Sequence, residues 1–562
     1  MATPDTPQPE SANIPDQSSG QHQETPTDQK IEDQDNKGPI RETIVVPSNI
    51  PPSPQPEKPD NLVEKKTDEN TPDQEKKQDQ SQVPDKIDQQ PTQEQTNEGS
   101  SSQDTYTVND APTDAATDTS SEASQPTKKK GANKILIVLL ILLFLGAIGY
   151  GLFYFWGKFS GGGQVTLTYW GLWENDAIIR PVIDEFEASN KGITIDYIKQ
   201  SHKQYRERVQ AAVSRGEGPD VFRFHNTWVG MLRNELDIAP SEAFTSSEFA
   251  NTFYNVAKND LVAGQSIYGI PLEFDGLGLY INEDIFSAAG ASAPLTWEDV
   301  LSLVPTLTVK NDDNITTSAI ALGTTNNVEH FSDIVATMIL QNGGNLVQPT
   351  GKEAEEALIF YRKFSDEDDP VYTWNDTLDN SIYAFATGKV AMILAPSWRA
   401  FDIKQITPTA NFRIVPVPQL AGNTVNWASY WVEGVSAKSK NKKAAWEFVK
   451  FLSSKEAVTK IYTQASKVRL FGEPYARRDL ASTLAGDRYT EAYVKQAETA
   501  RSFPLASKTY DNGLNDKMIK YLEDAINSVV DGNSPTQALS TAAEGFRQVL
   551  GQYGLTSSAP TN

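Results

Sequence analysis

The sequence predicts an α/β domain that follows one membrane-spanning helix and a long disordered tail. From residue 165 onward, short alternating patterns typical of strands are separated by helical patterns, which is the arrangement of parallel α/β sheets. Before that point lies an apolar, uncharged run at 135–156, and before the run the chain is acidic and rich in proline and glutamine. The 562 residues therefore divide into parts of very different character.

The first part, residues 1–127, is predicted to be a disordered cytoplasmic tail. It holds 17 of the 33 prolines, no tryptophan, and 26 acidic against 9 basic side chains. A segment with so little apolar surface cannot offset the entropy of ordering its backbone. We also expect the last residues, 557–562, to be disordered.

The run 135–156 is predicted to be a transmembrane helix. At about 1.5 Å per residue its 22 residues reach roughly 33 Å, which matches a hydrocarbon core of about 30 Å. The juxtamembrane segment 128–134 carries four lysines, whereas Lys158 is alone on the other side. The positive-inside rule then places the tail in the cytoplasm and the C-terminal domain outside the cell.

A cleaved signal peptide is the competing interpretation of this run, but such signals do not begin 134 residues into a chain. The chain has no cysteine, so neither a disulfide nor a lipid attached through a thiol is available. We therefore expect a single-pass cell-membrane protein in which a short linker, GKFSGGGQ at 157–164, joins the helix to one extracellular domain at 165–556.

That domain opens with strand, helix and strand patterns in about 33 residues. Val165, Leu167 and Tyr169 alternate with polar residues, a helical pattern covers 178–186, and alternation returns at 193–197. A helix between two such strands normally joins parallel strands. A second cycle ends in a strand pattern at 221–224. In open parallel sheets, ligands bind beyond the carboxyl ends of the strands.

Tryptophans occupy this position repeatedly. Trp170 and Trp173 follow the first strand, Asn226 and Trp228 follow the third, and Trp398 follows a buried strand at 390–395. One indole at a loop is more often a packing residue than a ligand contact. Its recurrence at three strand ends favours a binding site, with Trp173 a better ligand candidate than Trp170 because it lies further into the loop.

Other features exclude several classes of function. The extracellular domain holds 48 acidic and 36 basic residues, and this negative charge repels nucleic acid. The four histidines lack metal-ligand spacing and no serine nucleophile motif is present, so we predict no metal, no cofactor and no enzymatic activity. Helical patterns at 442–457 and 518–530, and a last helix with Ser534 as its N-cap followed by Pro535, are predicted to supply core.

Several segments, taken in order, resemble the extracellular solute-binding proteins of the maltose-binding type, which serve ATP-binding cassette (ABC) importers. They are VTLTYWGLWEND, GEGPDVF, IYGIPLEFDGLGLYINEDIFSAAG with the following TWEDV, FATGKVAMILAPSW and AAWEFVKFLSSKEA. The resemblance spans the whole extracellular domain. No single motif is diagnostic, whereas the ordered set is specific.

The resemblance implies two α/β lobes of the periplasmic-binding-protein type that close by hinge bending over a solute in the cleft. The first lobe would hold about 165–272 and 432–500, and the second about 276–420 and 505–556. Trp398 is the nearest match for a residue that stacks on a sugar ring. The other residues in segments that usually line the cleft are Trp170, Trp173, Asn226, Trp228, Asp275, Trp427 and Glu433.

We therefore expect a monomeric, membrane-anchored protein that captures a small solute, with carbohydrate favoured, and delivers it to the permease subunits of an ABC importer. Peptide, polyamine and glycerol-phosphate ligands stay open, because the same fold accepts them. Two other classes also stay open: a membrane-tethered sensor or adhesin that retains the binding fold, and a glycosidase with paired carboxylates.

Overall fold

The computed structural model describes residues 139–151 and 164–555. The first range is a helix, α1, whose residues are all exposed. Among the described residues, no helix is both long enough and apolar enough to cross a membrane. The tail 1–127, the basic segment 128–134, the two ends of the predicted 135–156 span, the linker up to 163 and the C-terminal 557–562 lie outside the described residues.

The elements of the larger range alternate between strands and helices. The strands are β1 (Val165–Gly171), β2 (Ile193–Lys199), β3 (Val221–His225), β4 (Val262–Ala263), β5 (Ser266–Ile267), β6 (Ile270–Pro271), β7 (Gly278–Asn282), β8 (Val309–Asn311), β9 (Asn314–Ile320), β10 (Val390–Ala395), β11 (Phe412–Val415), β12 (Asn426–Trp427), β13 (Trp431–Val435) and β14 (Ala500–Arg501). The helices after α1 are α2 (Asp176–Ser189), α3 (Tyr205–Arg215), α4 (Val229–Leu232), α5 (Ser246–Thr252), α6 (Asn255–Leu261), α7 (Glu283–Ala289), α8 (Trp297–Leu307), α9 (Phe331–Gln341), α10 (Lys352–Lys363), α11 (Ser381–Ala386), α12 (Arg399–Ile406), α13 (Lys442–Leu452), α14 (Lys455–Ala465), α15 (Glu491–Gln496), α16 (Leu514–Val530) and α17 (Pro535–Gln552). Short 3₁₀ turns cover Asn226–Trp228, Arg478–Leu484 and Ala497–Thr499.

The first lobe is built on a five-stranded sheet with the order β2-β1-β3-β13-β6. β1 pairs in parallel with both β2 and β3, which confirms the parallel strands predicted from the sequence. β13 and β6 add antiparallel strands at the other side. α13 packs on β1 and β13, where Phe448 meets Tyr169 and Phe186 with ring centroids 5.6 and 5.0 Å apart.

The second lobe is built on a sheet with the order β11-β7-β10-β9-β8. All six residues of β10 are buried, as their continuous apolar pattern predicts. α11 packs on β10 and α8 on β9, while α9, α10, α16 and α17 pack against one another. Both sheets are therefore covered by helices, which leaves their strand ends as the accessible edges.

Local sequence signals set several helix ends. Thr296 and Asp299 form a capping box at the start of α8, and the Ser534 hydroxyl accepts a hydrogen bond from the Gln537 amide at the start of α17. α3 ends at Gly216, whose φ of 74° is favourable for glycine. These signals determine where the three helices begin or end. Indoles are found at or just after the ends of β1, β3 and β10.

The chain passes between the two sheets more than once. It leaves the first sheet after β6 and enters the second at β7, then leaves the second after β11 and returns at β13. A third passage lies between α14, which packs on α2 of the first lobe, and α15, which packs on β11 of the second. The stretch around α15, which the sequence analysis grouped with the first lobe, bonds to the second: the Tyr493 hydroxyl donates to the carbonyl of Ala395 and the Gln496 side chain bonds to Leu277 and Val417.

Candidate functional site

A cavity of about 300 Å³ lies where the loops of both sheets meet the stretches that join them. Its volume is at the lower end of the range of about 300–1,000 Å³ found for small-molecule sites. Its aromatic lining residues are Trp173, His202, His225, Trp398, Phe401, Tyr430, Trp431 and Tyr510. Its charged lining residues are Glu273, Asp275, Asp402, Arg469, Glu473 and Lys508. The walls thus combine ring faces with carboxylates.

Trp398, the residue predicted to stack on a sugar ring, lies in the short loop that follows β10. It is half-buried and is the N-cap residue that precedes α12. The Arg399 guanidinium lies 4.1 Å from the indole centroid, and His330 makes an edge contact at 5.8 Å. Since the guanidinium covers one face of the indole, a ligand in the cavity would use the other.

Asp275 holds the loop that carries Trp398. One carboxylate oxygen accepts hydrogen bonds from the amides of Gly276 and Ser397 at 2.8 and 3.0 Å, and the other accepts from the Ser397 hydroxyl at 2.9 Å. The Tyr280 hydroxyl donates to the carbonyls of Pro396 and Ser397. Burial, reinforced by the charge of Glu473, raises the pKa of Asp275 to about 8. Asp275 therefore lines the cavity and also holds in place the loop that carries the Trp398 indole.

Trp173 belongs to a cluster of rings on the first lobe. It stacks on His202 with centroids 5.8 Å apart and makes an edge contact with Trp431 at 5.4 Å. Trp431 in turn contacts His225 and the buried Trp228 at 5.2 and 5.4 Å. The Trp173 Nε1 group has no hydrogen-bond partner among the described residues. This cavity-lining side chain therefore keeps a buried donor that no described residue uses.

Two other tryptophans predicted to line the cleft are placed in the core instead. Trp228 is 1 % exposed and packs near Tyr205 and Trp431. Trp427 is also 1 % exposed, and its Nε1 donates to Asp333 at 2.7 Å. Neither lines the cavity, because neighbouring elements cover both rings.

Trp170, Asn226 and Glu433 likewise do not line the cavity. Trp170 is half-buried within β1, as a strand residue rather than a loop residue. Asn226 donates to Asp260 at 2.9 Å and accepts from the Tyr430 amide at 3.2 Å. Glu433 is fully buried beside Arg223. Of the eight residues predicted from the sequence, the structure therefore brings Trp173, Asp275 and Trp398 to one cavity.

Behind the cavity, Arg223 is buried among three carboxylates. Its guanidinium lies 2.7 Å from both Glu174 and Glu433 and 3.8 Å from Glu273. Although burial opposes ionisation, this guanidinium holds the pKa of Glu174 below its usual range. Burial raises the pKa of Glu433 and raises that of Glu273 well above its usual range, in each case against the attraction of Arg223.

His225 contributes a neutral polar group. Its Nδ1 lies 2.8 Å from the Thr227 hydroxyl and its Nε2 lies 3.0 Å from the Ser429 hydroxyl. Burial lowers the pKa of His225 to about 3, so the ring is uncharged at neutral pH. His202 and His225, two of the four histidines that lack metal-ligand spacing in the sequence, both line the cavity.

The residues just before α16 form another wall that the sequence did not indicate. Lys508, Tyr510 and Asn512 all have φ between 45° and 60°, a left-handed conformation that is uncommon for residues other than glycine. The Tyr510 ring packs on His202 with centroids 4.6 Å apart. This contact joins the loop before α16 to the loop after β2 across the cavity. No sequence pattern predicts positive φ at these three residues, so this wall could not be predicted from the sequence.

Comparison with known proteins agrees with this architecture. The family described as "Bacterial extracellular solute-binding protein" matches residues 171–459, just over half of the chain. The multiple sugar-binding protein of Streptococcus mutans is 24% identical over 320 residues, which cover 53% of this chain and 73% of that protein.

Solved structures show the same fold. The sugar-binding protein MalE from Xanthomonas citri superimposes with a TM-score of 0.58 at 19% identity, covering 70% of this chain and all of that one. The Thermus thermophilus maltotriose-binding protein, bound with maltotriose, gives a TM-score of 0.51 at 18% identity and covers 68% of this chain and 100% of its own. At these identities the likeness establishes the two-lobed fold alone.

Proposed function

We propose a function from an established premise: the chain belongs to the family of bacterial extracellular solute-binding proteins. The proposed function is the capture of a small carbohydrate in the cavity between the lobes and its delivery to an ABC importer. Relatives whose names state a sugar ligand, including the multiple sugar-binding protein, support a carbohydrate over other solutes.

The observation that carries the proposal is the set of indoles around one cavity. Trp398 comes from the second lobe, Trp173 from the first, and Trp431 from the start of β13. A sugar offers apolar C–H faces to such rings and hydroxyls to polar groups. Because the rings come from both lobes, a sugar between them would be held from two sides.

The magnitudes are adequate for a micromolar site. A dissociation constant of 1 μM corresponds to about −8.2 kcal/mol. Each stacking contact supplies about 0.5–1.5 kcal/mol beyond the burial of area, and each hydrogen bond to a charged group about 1.5–3 kcal/mol. Two or three indoles together with Glu273, Glu473 and Arg469 offer enough contacts, whereas a single indole does not.

Binding without chemical change fits the way the carboxylates are used. A glycosidase needs one carboxyl group to donate a proton and a second to act as nucleophile or base. Both oxygens of Asp275 already accept hydrogen bonds from Gly276 and Ser397. Glu473 is paired with Arg469 at 3.0 Å. These contacts favour a binding site over a hydrolytic one.

We place the capture step outside the cell, with the chain anchored through residues 135–156 and its N-terminal tail in the cytoplasm. The four lysines at 128–134 support this orientation. An anchored binding protein would stay close to the permease without a lipid group, for which the chain has no cysteine.

The test is ligand binding by the full chain, kept in solution with a detergent that has no sugar headgroup. Thermal unfolding is followed with a panel of neutral and amino-substituted mono- and oligosaccharides. A ligand at 100 times its dissociation constant stabilises the protein by about 2.7 kcal/mol, which is readily detected. If no carbohydrate raises the melting temperature, or if a sugar is cleaved on long incubation, the proposal is wrong.

A further inference from the structure

A charged cluster that lies behind the cavity and reaches its wall holds more acidic than basic side chains. Four buried or nearly buried carboxylates, Glu174, Glu273, Glu433 and Glu473, surround the two guanidinium groups of Arg223 and Arg469. Two negative charges are uncompensated when all six groups are ionised. Glu273 and Glu473 are the two carboxylates of this cluster that line the cavity.

Glu273 is the least well partnered of the four. Arg223 contacts Glu174 and Glu433 at 2.7 Å each, whereas its closest approach to the Glu273 carboxylate is 3.8 Å. Across the described residues, no hydrogen bond to that carboxylate is present. The Glu273 side chain is only 12% exposed. The protein thus leaves a nearly buried carboxylate facing the cavity without a donor of its own.

Within the described residues, neither fixed cation of the cavity wall forms an ion pair with Glu273, whose one such contact is with Arg223. Among the described lining residues, these cations are Arg469 and Lys508. Arg469 is paired with Glu473 at 3.0 Å, and Lys508 is paired with Glu329 at 2.6 Å. A counter-charge for Glu273 must therefore come as a proton or from the ligand, because a buried charge without a partner is strongly unfavourable.

A second observation points to a ligand at the same place. Thr509 is 2 % exposed and lines the cavity, and its hydroxyl has no hydrogen-bond partner among the described residues. The Trp173 Nε1 group is unpartnered as well. A cation is also attracted to ring faces such as those of Trp173 and Trp431. The cavity thus offers unused acceptors, unused donors and π faces together.

We infer that the sugar bound here carries a protonated amine, that is, an amino sugar with a free amino group whose ammonium lies against Glu273 and Glu473. This inference rests on the proposed function, because it specifies the class of carbohydrate that the cleft accepts. An ammonium has three N–H donors and one positive charge, so it would supply both the hydrogen bond that Glu273 lacks and part of the missing counter-charge.

The experiment is calorimetric binding by the full chain in a detergent without sugar headgroups. The probes are matched sets on the glucose, galactose and mannose skeletons, each comprising the free 2-amino sugar, its N-acetyl form and the neutral sugar. We expect the free amine to bind at least tenfold more tightly than both other members of at least one set. Acetylation removes the charge while keeping the ring, which separates the effect of charge from that of shape.

Two variants assign the preference to a residue. Glu273→Gln should reduce the preference for the amine, which is the ratio of amine affinity to neutral-sugar affinity measured in the same variant, at least tenfold. The matched control is Glu235→Gln, another nearly buried glutamate of the first lobe, which bonds to Ser214 at 3.0 Å and does not line the cavity. The control should keep the full preference.

The outcomes separate this inference from the proposed function. If neutral and N-acetyl sugars bind as tightly as the free amine, the amino-sugar inference is wrong while carbohydrate capture stands. If spermidine binds and none of the sugars does, both are wrong. Equal loss of preference in Glu273→Gln and Glu235→Gln would also overturn the assignment to Glu273. The preference of the parent protein is measured without variants, so it stays decisive even if Glu273→Gln fails to fold.

Discussion

Replacing Trp398 by alanine should weaken carbohydrate binding about thirtyfold and leave the fold intact. Arg399 covers one indole face at 4.1 Å, so the ligand gains only the other face. Burial of about 40 Å² of apolar ring area is worth about 1 kcal/mol at about 25 cal/mol/Å². Stacking geometry adds about 1 kcal/mol. The sum of about 2 kcal/mol corresponds to roughly a thirtyfold change in dissociation constant.

Calorimetry on whichever sugar binds measures the affinity, and thermal unfolding without ligand measures the fold. Trp427→Ala is the matched control, because Trp427 is fully covered and bonds to Asp333 at 2.7 Å. Its loss should cost about 3–5 kcal/mol of stability. Trp398→Ala should move the melting temperature by only a few degrees, since the ring is half-buried. If Trp398→Ala binds as tightly as the parent, or is as unstable as Trp427→Ala, Trp398 is a packing residue.

The remaining predictions concern topology, proton binding and ligand release. Protease added to intact cells should digest the chain after residue 158 and spare 1–127; cleavage of the tail from outside would reverse the orientation. Burial in the folded protein raises the pKa of Asp275 to about 8, so the folded protein binds the Asp275 proton more tightly than the unfolded chain does. The free energy of unfolding that this proton contributes therefore falls as pH rises from about 4 to 8. Asp275→Asn should flatten this dependence, and an unchanged slope in urea titrations would contradict the assignment. Tyr510→Ala removes the ring contact with His202 and should speed ligand release several-fold in stopped-flow measurements, whereas an unchanged release rate would show that the contact does not retain the ligand.

Elements with a local hydrophobic period were predictable from the sequence. β1, β2 and α2 follow from alternation and helical spacing, and their parallel pairing follows from the helix between the strands. β13 carries no such signal, although it completes the first sheet between β3 and β6. The two-residue strands β12 and β14 pair only with each other after a long separation in sequence. Their existence depends on tertiary contacts, which no local pattern encodes.

The site was predictable in outline but not residue by residue. Strand ends and family resemblance together predicted Trp173, Asp275 and Trp398 as site residues, and the structure places all three at one cavity. The same reasoning misplaced Trp228 and Trp427, because an indole becomes core or wall according to which distant elements cover it. Tyr510 was missed for the converse reason: its ring reaches His202 only through the backbone conformation of the loop before α16.

Asn226 shows how a residue can be placed in the right region and still have another role. Asp260, on α6, accepts hydrogen bonds from Asn226, from the Tyr430 hydroxyl at 2.6 Å and from the Ser502 hydroxyl. Tyr430 belongs to the stretch that joins β11 to β13, so this one carboxylate ties that stretch and Ser502 to the first lobe. The Asn226 carbonyl oxygen also accepts from the Tyr430 amide. With both ends of its amide engaged, Asn226 cannot bind a sugar without breaking hydrogen bonds that tie a lobe-connecting stretch to the first lobe.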